Sequence, residues 1–408
     1  MLIIIEKIPL NIWLNKLLYL EKNEKKILFF FVIFLYLILD LIFSSIINLK
    51  NFYNQKNNIF IKHPVYHHTF KKNSEWTDNY GKYGRYKIFT NSLGFRDLNL
   101  RKIKKKNHKN KRILFIGDSV TEGVLLDYEK TFAGILQTRL KKYDYEILNA
   151  ARVSYSPSIY FTKTKYLLEV EKLEFDELFV FIDISDCQDE GEIYQLKNNI
   201  VTYRPERIDY YKKKEINDKN KLKNLDTVRK IKNFINYNFK ISYTFLNIAY
   251  DVLNLNEEEQ KKNEFNHEWE YLVSLDYDRD KWTIDKKIYD KYCKFGMTKM
   301  IEYVDKLYLL LKKNNIKMSI AVYPLPSQIW HEDLNSIQVK VWKNFSNTRG
   351  IDFINFFNLF VRQNISDKEK IQNLRNYYIP FDIHFNENGN NMIATEFEKQ
   401  FKKLNNLN

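Results

Sequence analysis

The sequence predicts an α/β protein: a three-layer, doubly wound parallel sheet with an N-terminal transmembrane helix and a helical insertion. Three observations predict it. From Arg112 onward, apolar runs of strand length alternate with longer amphipathic stretches, as parallel strands do when helices cover both faces of their sheet. Near the amino terminus, residues 27–47 form an apolar run with a single charge. Over all 408 residues, 44% are hydrophobic and 29% charged, a balance that fills a packed core and excludes a disordered chain. With 10 Gly and 7 Pro, collagen-like, propeller-like and Pro-rich linker architectures are excluded as well.

The apolar run reads ILFFFVIFLYLILDLIFSSII. As a helix it spans about 31 Å, close to the hydrocarbon thickness of about 30 Å. Asp40 is its only charge. A cleaved signal peptide would have a shorter apolar core ending in an A-x-A-like site, which is missing, so the span reads as a retained anchor. Lys7, Lys16, Lys22, Lys25 and Lys26 precede it, and Lys50, Lys56 and Lys62 follow. This bias puts the amino terminus in the cytoplasm and everything after Leu49 outside. Residues 1–26 form a cytoplasmic or interfacial segment: Leu2 to Leu20 is apolar, with Trp13 and Tyr19, but Glu6, Lys7, Pro9 and Lys16 break it.

Residues 48–110 form a juxtamembrane region without a long apolar period. They hold HPVYHH (His63 to His68), TNSLGFRD (Thr90 to Asp97) and a basic stretch from Arg101 to Arg112 that reads as a solvated linker. The first part of the core follows at 111–186. Ile113–Ile116 is a buried-strand pattern, Glu129–Lys142 a helix, Glu146–Leu148 a strand, Ser158–Val170 a helix and Glu177–Ile182 a strand. A charged helical insertion occupies 187–286 with no strand–helix alternation. Within it, Val228–Leu253 has helical spacing that would cap the site or rest on the bilayer. The second part of the core, 287–408, runs through a helix at Lys287–Asn314, a strand at Ile316–Val322 and a helix at Val339–Phe345. A strand at Asp352–Ile354 and a helix at Glu387–Phe401 close it.

The charge is +15, from 66 Lys+Arg against 51 Asp+Glu, but most basic residues are interleaved with acids, so no nucleic-acid partner is expected. Cys187 and Cys293 have neither CxxC nor zinc spacing, and whether they pair is left open. His63, His67 and His68 have no adjacent acidic cluster, so they read as packing residues and no metal is expected. Arg96 reads as a structural ion pair with Asp97 or another acid rather than as a contact to an anionic substrate. No GxGxxG or P-loop is present, and no cofactor is expected.

The chemistry begins where the first core strand ends, at Gly117-Asp118-Ser119. The carboxyl ends of parallel strands are where α/β folds place their ligands. A serine on a tight strand-to-helix turn presents its hydroxyl there, and its N–H points outward. Such a nucleophile needs a base and a third group to orient that base. Asp382 and His384 lie two residues apart before the last helix. In an extended segment both face one way, and Asn386 or its neighbours would cap that helix.

On these residues the chain resembles the SGNH/GDSL hydrolase superfamily over about 112–186 and 287–402. The resemblance implies Ser119 as nucleophile. The family usually has two residues between Asp and His; here only Ile383 intervenes, which is similar to the membrane-associated alginate O-acetylation branch. Where the family has a Gly that donates its N–H, the chain reads Asn149-Ala150-Ala151-Arg152; where it has Gly-x-Asn-Asp, the chain reads Asp183-Ile184-Ser185-Asp186. The implied oxyanion hole is Ser119 N–H, Ala151 N–H and Ser185. The expected function is a membrane-anchored extracytoplasmic serine esterase or O-acyltransferase, acting on a cell-surface or exported polysaccharide with an acyl donor. The alternatives are a non-catalytic carbohydrate-binding or assembly subunit with a degenerate site, and a lipid-facing esterase.

Overall fold

The computed structural model describes residues 24–56, 59–79, 85–106, 110–208, 234–253, 269–273 and 280–407. Residues 1–23 of the predicted interfacial segment, and the part of the predicted insertion helix before residue 234, lie outside them. The chain divides into two compact units, Met1–Asn57 with Lys214–Gln260, and Asn58–Lys213 with Lys261–Asn408.

Along the chain, α1 (Glu24–Lys56) opens the first unit. The second unit begins with β1 (Phe60–His63), β2 (His67–Phe70), β3 (Glu75–Asn79), β4 (Arg85–Thr90) and the two-residue β5 (Arg96–Asp97). It continues with β6 (Lys111–Ile116), a single turn α2 (Ser119–Glu122), α3 (Phe132–Arg139), β7 (Tyr145–Asn149), α4 (Pro157–Glu169) and β8 (Glu177–Ile182). A hairpin of β9 (Tyr194–Lys197) and β10 (Ile200–Tyr203) comes next, and α5 (Lys240–Leu253) returns to the first unit. The second unit ends with α6 (Lys294–Lys313), β11 (Lys317–Val322), α7 (Ile337–Arg349), β12 (Asp352–Asn355), α8 (Asp367–Tyr377) and α9 (Glu387–Leu404).

The main sheet has eight strands in the order β12-β11-β8-β6-β7-β5-β4-β3. The first five are parallel and the last three antiparallel. Every residue of β8 is buried, as is β6 from Arg112 onward, which is why both read as unbroken apolar runs. Phe115, Phe132, Phe179, Phe181 and Phe397 form one aromatic cluster; Phe115 lies 5.0 Å from Phe181, and Phe179 lies 4.8 Å from Phe397. It joins α3 and α9 on one face, and the right-handed crossover rule sends α4, α6 and α7 to the other. Because β7 and β8 flank β6 on opposite sides, the winding reverses at β6 and opens a crevice at its carboxyl end.

Two regions differ from expectation. The juxtamembrane stretch is a set of strands, three of which extend the main sheet beyond β7. Its signal was a half-buried alternation, exposed and buried in turn along β4, which a search for long apolar runs passes over. The insertion also carries a hairpin, turned by Asn198 and Asn199 at φ +53° and +60°, as a two-residue hairpin loop requires. Cys187 and Cys293 are joined in a disulfide that ties the turn after β8 to the start of α6. The basic stretch is anchored at its ends, since Arg101 and Arg112 both bind Glu146, at 2.7 and 2.8 Å.

Candidate active site

The turn that carries Ser119 is forced by close packing. A Cβ on Gly117 would stand 2.4 Å from Thr121 Oγ1 and 2.9 Å from the Phe181 carbonyl, so only glycine lets β6 turn against β8. Asp118 is extended, Ser119 is the first residue of α2, and Gly123 ends the turn at φ +81° with its N–H on Ser119 O. As a first helical residue, Ser119 has an N–H with no intrahelical acceptor. Arg96 supports the other end of this turn. Its fully buried guanidinium donates to the carbonyls of Glu122 at 3.2 Å, of Gly123 and of Leu126. Arg96 was expected to form an ion pair with Asp97 or another acid; Asp97 takes Arg101 instead, at 2.8 Å, and the Arg96 guanidinium donates to backbone carbonyls behind Ser119.

His384 Nε2 lies 2.8 Å from Ser119 Oγ, and His384 Nδ1 is hydrogen-bonded to Asp382 Oδ1. The segment is a tight bend rather than the extended stretch expected. Asp382 Oδ1 also accepts the His384 backbone N–H at 2.9 Å, and Ile379 N–H binds His384 O at 3.0 Å. The one-residue spacing therefore closes through an Asx-type turn, in which a single carboxylate oxygen meets both the backbone and the ring of the residue two ahead. Phe381 sits at φ +61°, an uncommon conformation for a bulky residue and one that marks stored strain beside Asp382. Asn386 then caps α9 by accepting Gly389 N–H at 3.1 Å.

The two further residues implied for the oxyanion hole are engaged elsewhere. Ala151 N–H donates to Asn149 Oδ1 at 3.1 Å, and Asn149 Nδ2 donates to Thr121 O at 2.7 Å. Ser185 Oγ donates to Asp183 Oδ1 at 2.7 Å, and a hydroxyl has one proton to give. Ser185→Ala is therefore expected to lower kcat for a small aryl ester by less than about tenfold. A loss of roughly 10²–10³ in stopped-flow turnover would mean the hydroxyl swings from Asp183 to the developing oxyanion.

Several residues that the sequence did not single out shape these loops. Glu122 Oε2 binds Arg152 Nη1 and Val153 N–H, each at 2.6 Å, tying α2 to the loop after β7. Arg152 lies against the rings of both Phe60 and Phe70, 4.5 and 4.4 Å from their centres. Behind β8, Asp183, Asp186 and Asp118 lie together; burial, then repulsion from Asp183 and Asp118, raises the Asp186 carboxyl well above its usual range. Tyr160 and Tyr323 donate to Asp186 and Asp183 at 3.0 and 2.8 Å. Asp118, Arg152, Asp183 and Asp186 lie in the blocks that the sequence marked, but the partners they take across the loops leave no pattern in it.

Lys163 is fully buried under the same loop, donating to Ala150 O at 2.7 Å and to Tyr155 Oη at 3.1 Å. Burial, then repulsion from Arg152, lowers its pKa from 10.5 to about 7. Below about pH 7 the folded and unfolded chains both carry this proton; between about 7 and 10.5 only the unfolded chain does. The Lys163 contribution to stability therefore rises with pH through that window, by up to about 1.4 kcal/mol per unit. Urea melts at stepped pH should show that slope, and Lys163→Met should lack it.

His63, His67 and His68 pack among aromatics. His63 stacks on Tyr66 at 3.5 Å, and His68 Nε2 meets Val153 O at 2.8 Å. Among the described residues, no group of three or more His, Cys, Asp or Glu could hold a metal.

No protein-family model and no curated protein matches this chain. Solved structures similar to it include an acetyl xylan esterase, at 13% identity and TM-score 0.36, over 71% of this chain and 98% of that one. A psychrotrophic esterase from Pseudoalteromonas sp. matches at 11% identity and TM-score 0.34, over 73% and 100%. A GDSL-like lipase from Bacteroides thetaiotaomicron matches at 11% and 0.35, over 74% and 93%. At these identities and scores, nothing about substrate or activity transfers to this chain.

Proposed function

We propose that this chain is a membrane-anchored, extracytoplasmic serine esterase or O-acyltransferase of the SGNH/GDSL type, acting on a cell-surface or exported glycan. The observation that carries it is the hydrogen-bonded series Ser119–His384–Asp382 at the carboxyl end of β6, beside the point where the sheet reverses its winding. Ser119 Oγ attacks an ester carbonyl as His384 Nε2 takes its proton, and Asp382 holds Nδ1–H and steadies the imidazolium. His384 then protonates the departing alcohol, leaving an acyl group on Ser119. Water or a sugar hydroxyl, activated by the same His384, takes the acyl group and frees the enzyme. Ser119 N–H and Ala151 N–H are the proposed oxyanion donors, Ala151 exchanging Asn149 Oδ1 for the oxyanion as charge develops. The acetyl group is the proposed acyl, on the one-residue spacing of Asp382 and His384.

Labelling of the full chain by a fluorophosphonate tests the nucleophile: labelling that persists in Ser119→Ala would remove the proposal. The engagement of Ala151 N–H and Ser185 Oγ by neighbouring residues favours a second reading, a non-catalytic glycan-binding subunit. Inertness toward both acetyl and long-chain esters, with glycan binding retained, would select it.

The anchor is α1, which among the described residues is the one helix long and apolar enough to cross a membrane, over Lys26–Asn48. A reporter fused after Asn408 is expected to be active outside the cytoplasm, because the Lys excess precedes the span. A carboxyl terminus reachable only from the cytoplasm would remove the glycan as substrate.

A further inference from the structure

A carboxylate in the middle of an apolar span is penalised unless something nearby uses it. In the first unit, Asp40 and Ser44 are fully buried, while Leu39, Leu41, Ile42 and Phe43 around them are exposed. Asp40 Oδ1 accepts Ile241 N–H at 2.9 Å and Oδ2 accepts Ser242 N–H at 2.8 Å. Ser44 Oγ accepts Lys240 N–H at 2.7 Å and donates to Asp40 Oδ1 at 3.2 Å. Those three N–H groups form the first turn of α5, where a helix has no acceptors of its own. In hydrocarbon such groups must be met by protein, because no water is present to meet them. The negative carboxylate also lies at the positive end of the α5 dipole. A lone Asp and a bare helix start would each be unfavourable in a bilayer, and here each resolves the other.

The contacts on either side continue in antiparallel order. Asn48 Nδ2 donates to Tyr237 O at 2.7 Å, and Ser242 Oγ to Tyr36 Oη at 3.2 Å. From Asn48 back to Tyr36 the helix axis advances about 18 Å, so the segment from Tyr237 to Ser242 follows α1 well inside its apolar run. Beyond that point α5 exposes Phe245, Leu246 and Ile248, and Ile241–Tyr250 carries no charged residue. At 14 residues, α5 is too short to span and has the length of a re-entrant or interfacial segment.

We propose that α5 is a membrane-embedded helix, clipped by Asp40 to the outer half of α1, with lipid acyl chains covering Phe245, Leu246 and Ile248. The proposal rests on reading α1 as a membrane span. The test uses the full chain in phosphatidylcholine vesicles, spin-labelled on a single introduced cysteine at Leu37, Phe245, Ile248 or the exposed Lys399; the native cysteines are paired and take no label. Collision rates with lipid-soluble oxygen and with a water-soluble nickel chelate are compared. The expected result is oxygen-dominated collision at Phe245 and Ile248, as at Leu37, with nickel collision at least about fivefold below that at Lys399. Adding Asp40→Leu should raise nickel collision at Phe245 toward the Lys399 level while Leu37 stays in lipid; no change there would overturn the clip. Nickel access at Phe245 with Leu37 in lipid overturns the embedded helix but leaves the anchor standing. Nickel access at Leu37 removes the anchor itself. Low collision with both reagents at Phe245 means protein covers that face, which overturns the lipid assignment.

Discussion

Ser119→Ala and His384→Ala are each expected to lower kcat for a small aryl acetate by roughly 10⁵–10⁶. In the proposed mechanism the two groups act in one event, the proton that leaves Ser119 Oγ going to His384 Nε2, 2.8 Å away. Removing either therefore removes the whole nucleophilic route, and the double variant should be no slower than the worse single one. KM should change little, because both groups act as the transition state forms and neither holds the bound ester in its ground state. The measurement is steady-state turnover, with a mock purification from cells that lack the chain setting the background from contaminating esterases. Turnover in Ser119→Ala within tenfold of the parent would place the chemistry elsewhere.

Asp382→Asn is expected to reduce kcat by up to ~10⁴ while the chain stays folded. In this bend Oδ1 serves both the His384 backbone N–H and the ring Nδ1, so an amide oxygen in the same place keeps the turn closed. What it loses is the negative charge that steadies the imidazolium in the transition state. Asp382→Ala should go further: it opens the turn and frees the ring as well, so it should also lower the melting temperature where Asp382→Asn does not. Equal kcat in the parent and Asp382→Asn would show that His384 works without a charged partner.

Both predictions start from residues that the sequence already singled out. Gly117-Asp118-Ser119 stands at the end of an apolar strand pattern, and Asp382 and His384 stand just ahead of the last amphipathic helix. The central parallel strands β6, β8 and β11 were the most legible, because a strand buried on both faces is apolar along most of its length, whereas β12 is only partly buried and reads as a shorter run. The apolar run around Asp40 was equally plain, and so was the Lys excess ahead of it.

The remainder depended on partners far along the chain. β5 is two residues long and exists because Arg96 pairs with Asn149 at the open edge of β7. Arg96 could not be assigned from its neighbour Asp97, because its true acceptors are carbonyls about thirty residues away. The oxyanion donors were inferred from position, yet whether Ala151 N–H faces Asn149 or an oxyanion is a matter of loop geometry. Asp40 read as a penalty within its own helix, and only the arrival of Ile241 and Ser242 gives it a role. Burial on both faces of a strand leaves its mark on consecutive residues, so sequence alone determined the parallel core of the sheet, the long apolar helix and the candidate chemical groups. Hydrogen bonds between distant loops leave no such periodic mark, so tertiary structure alone decided what each polar group does.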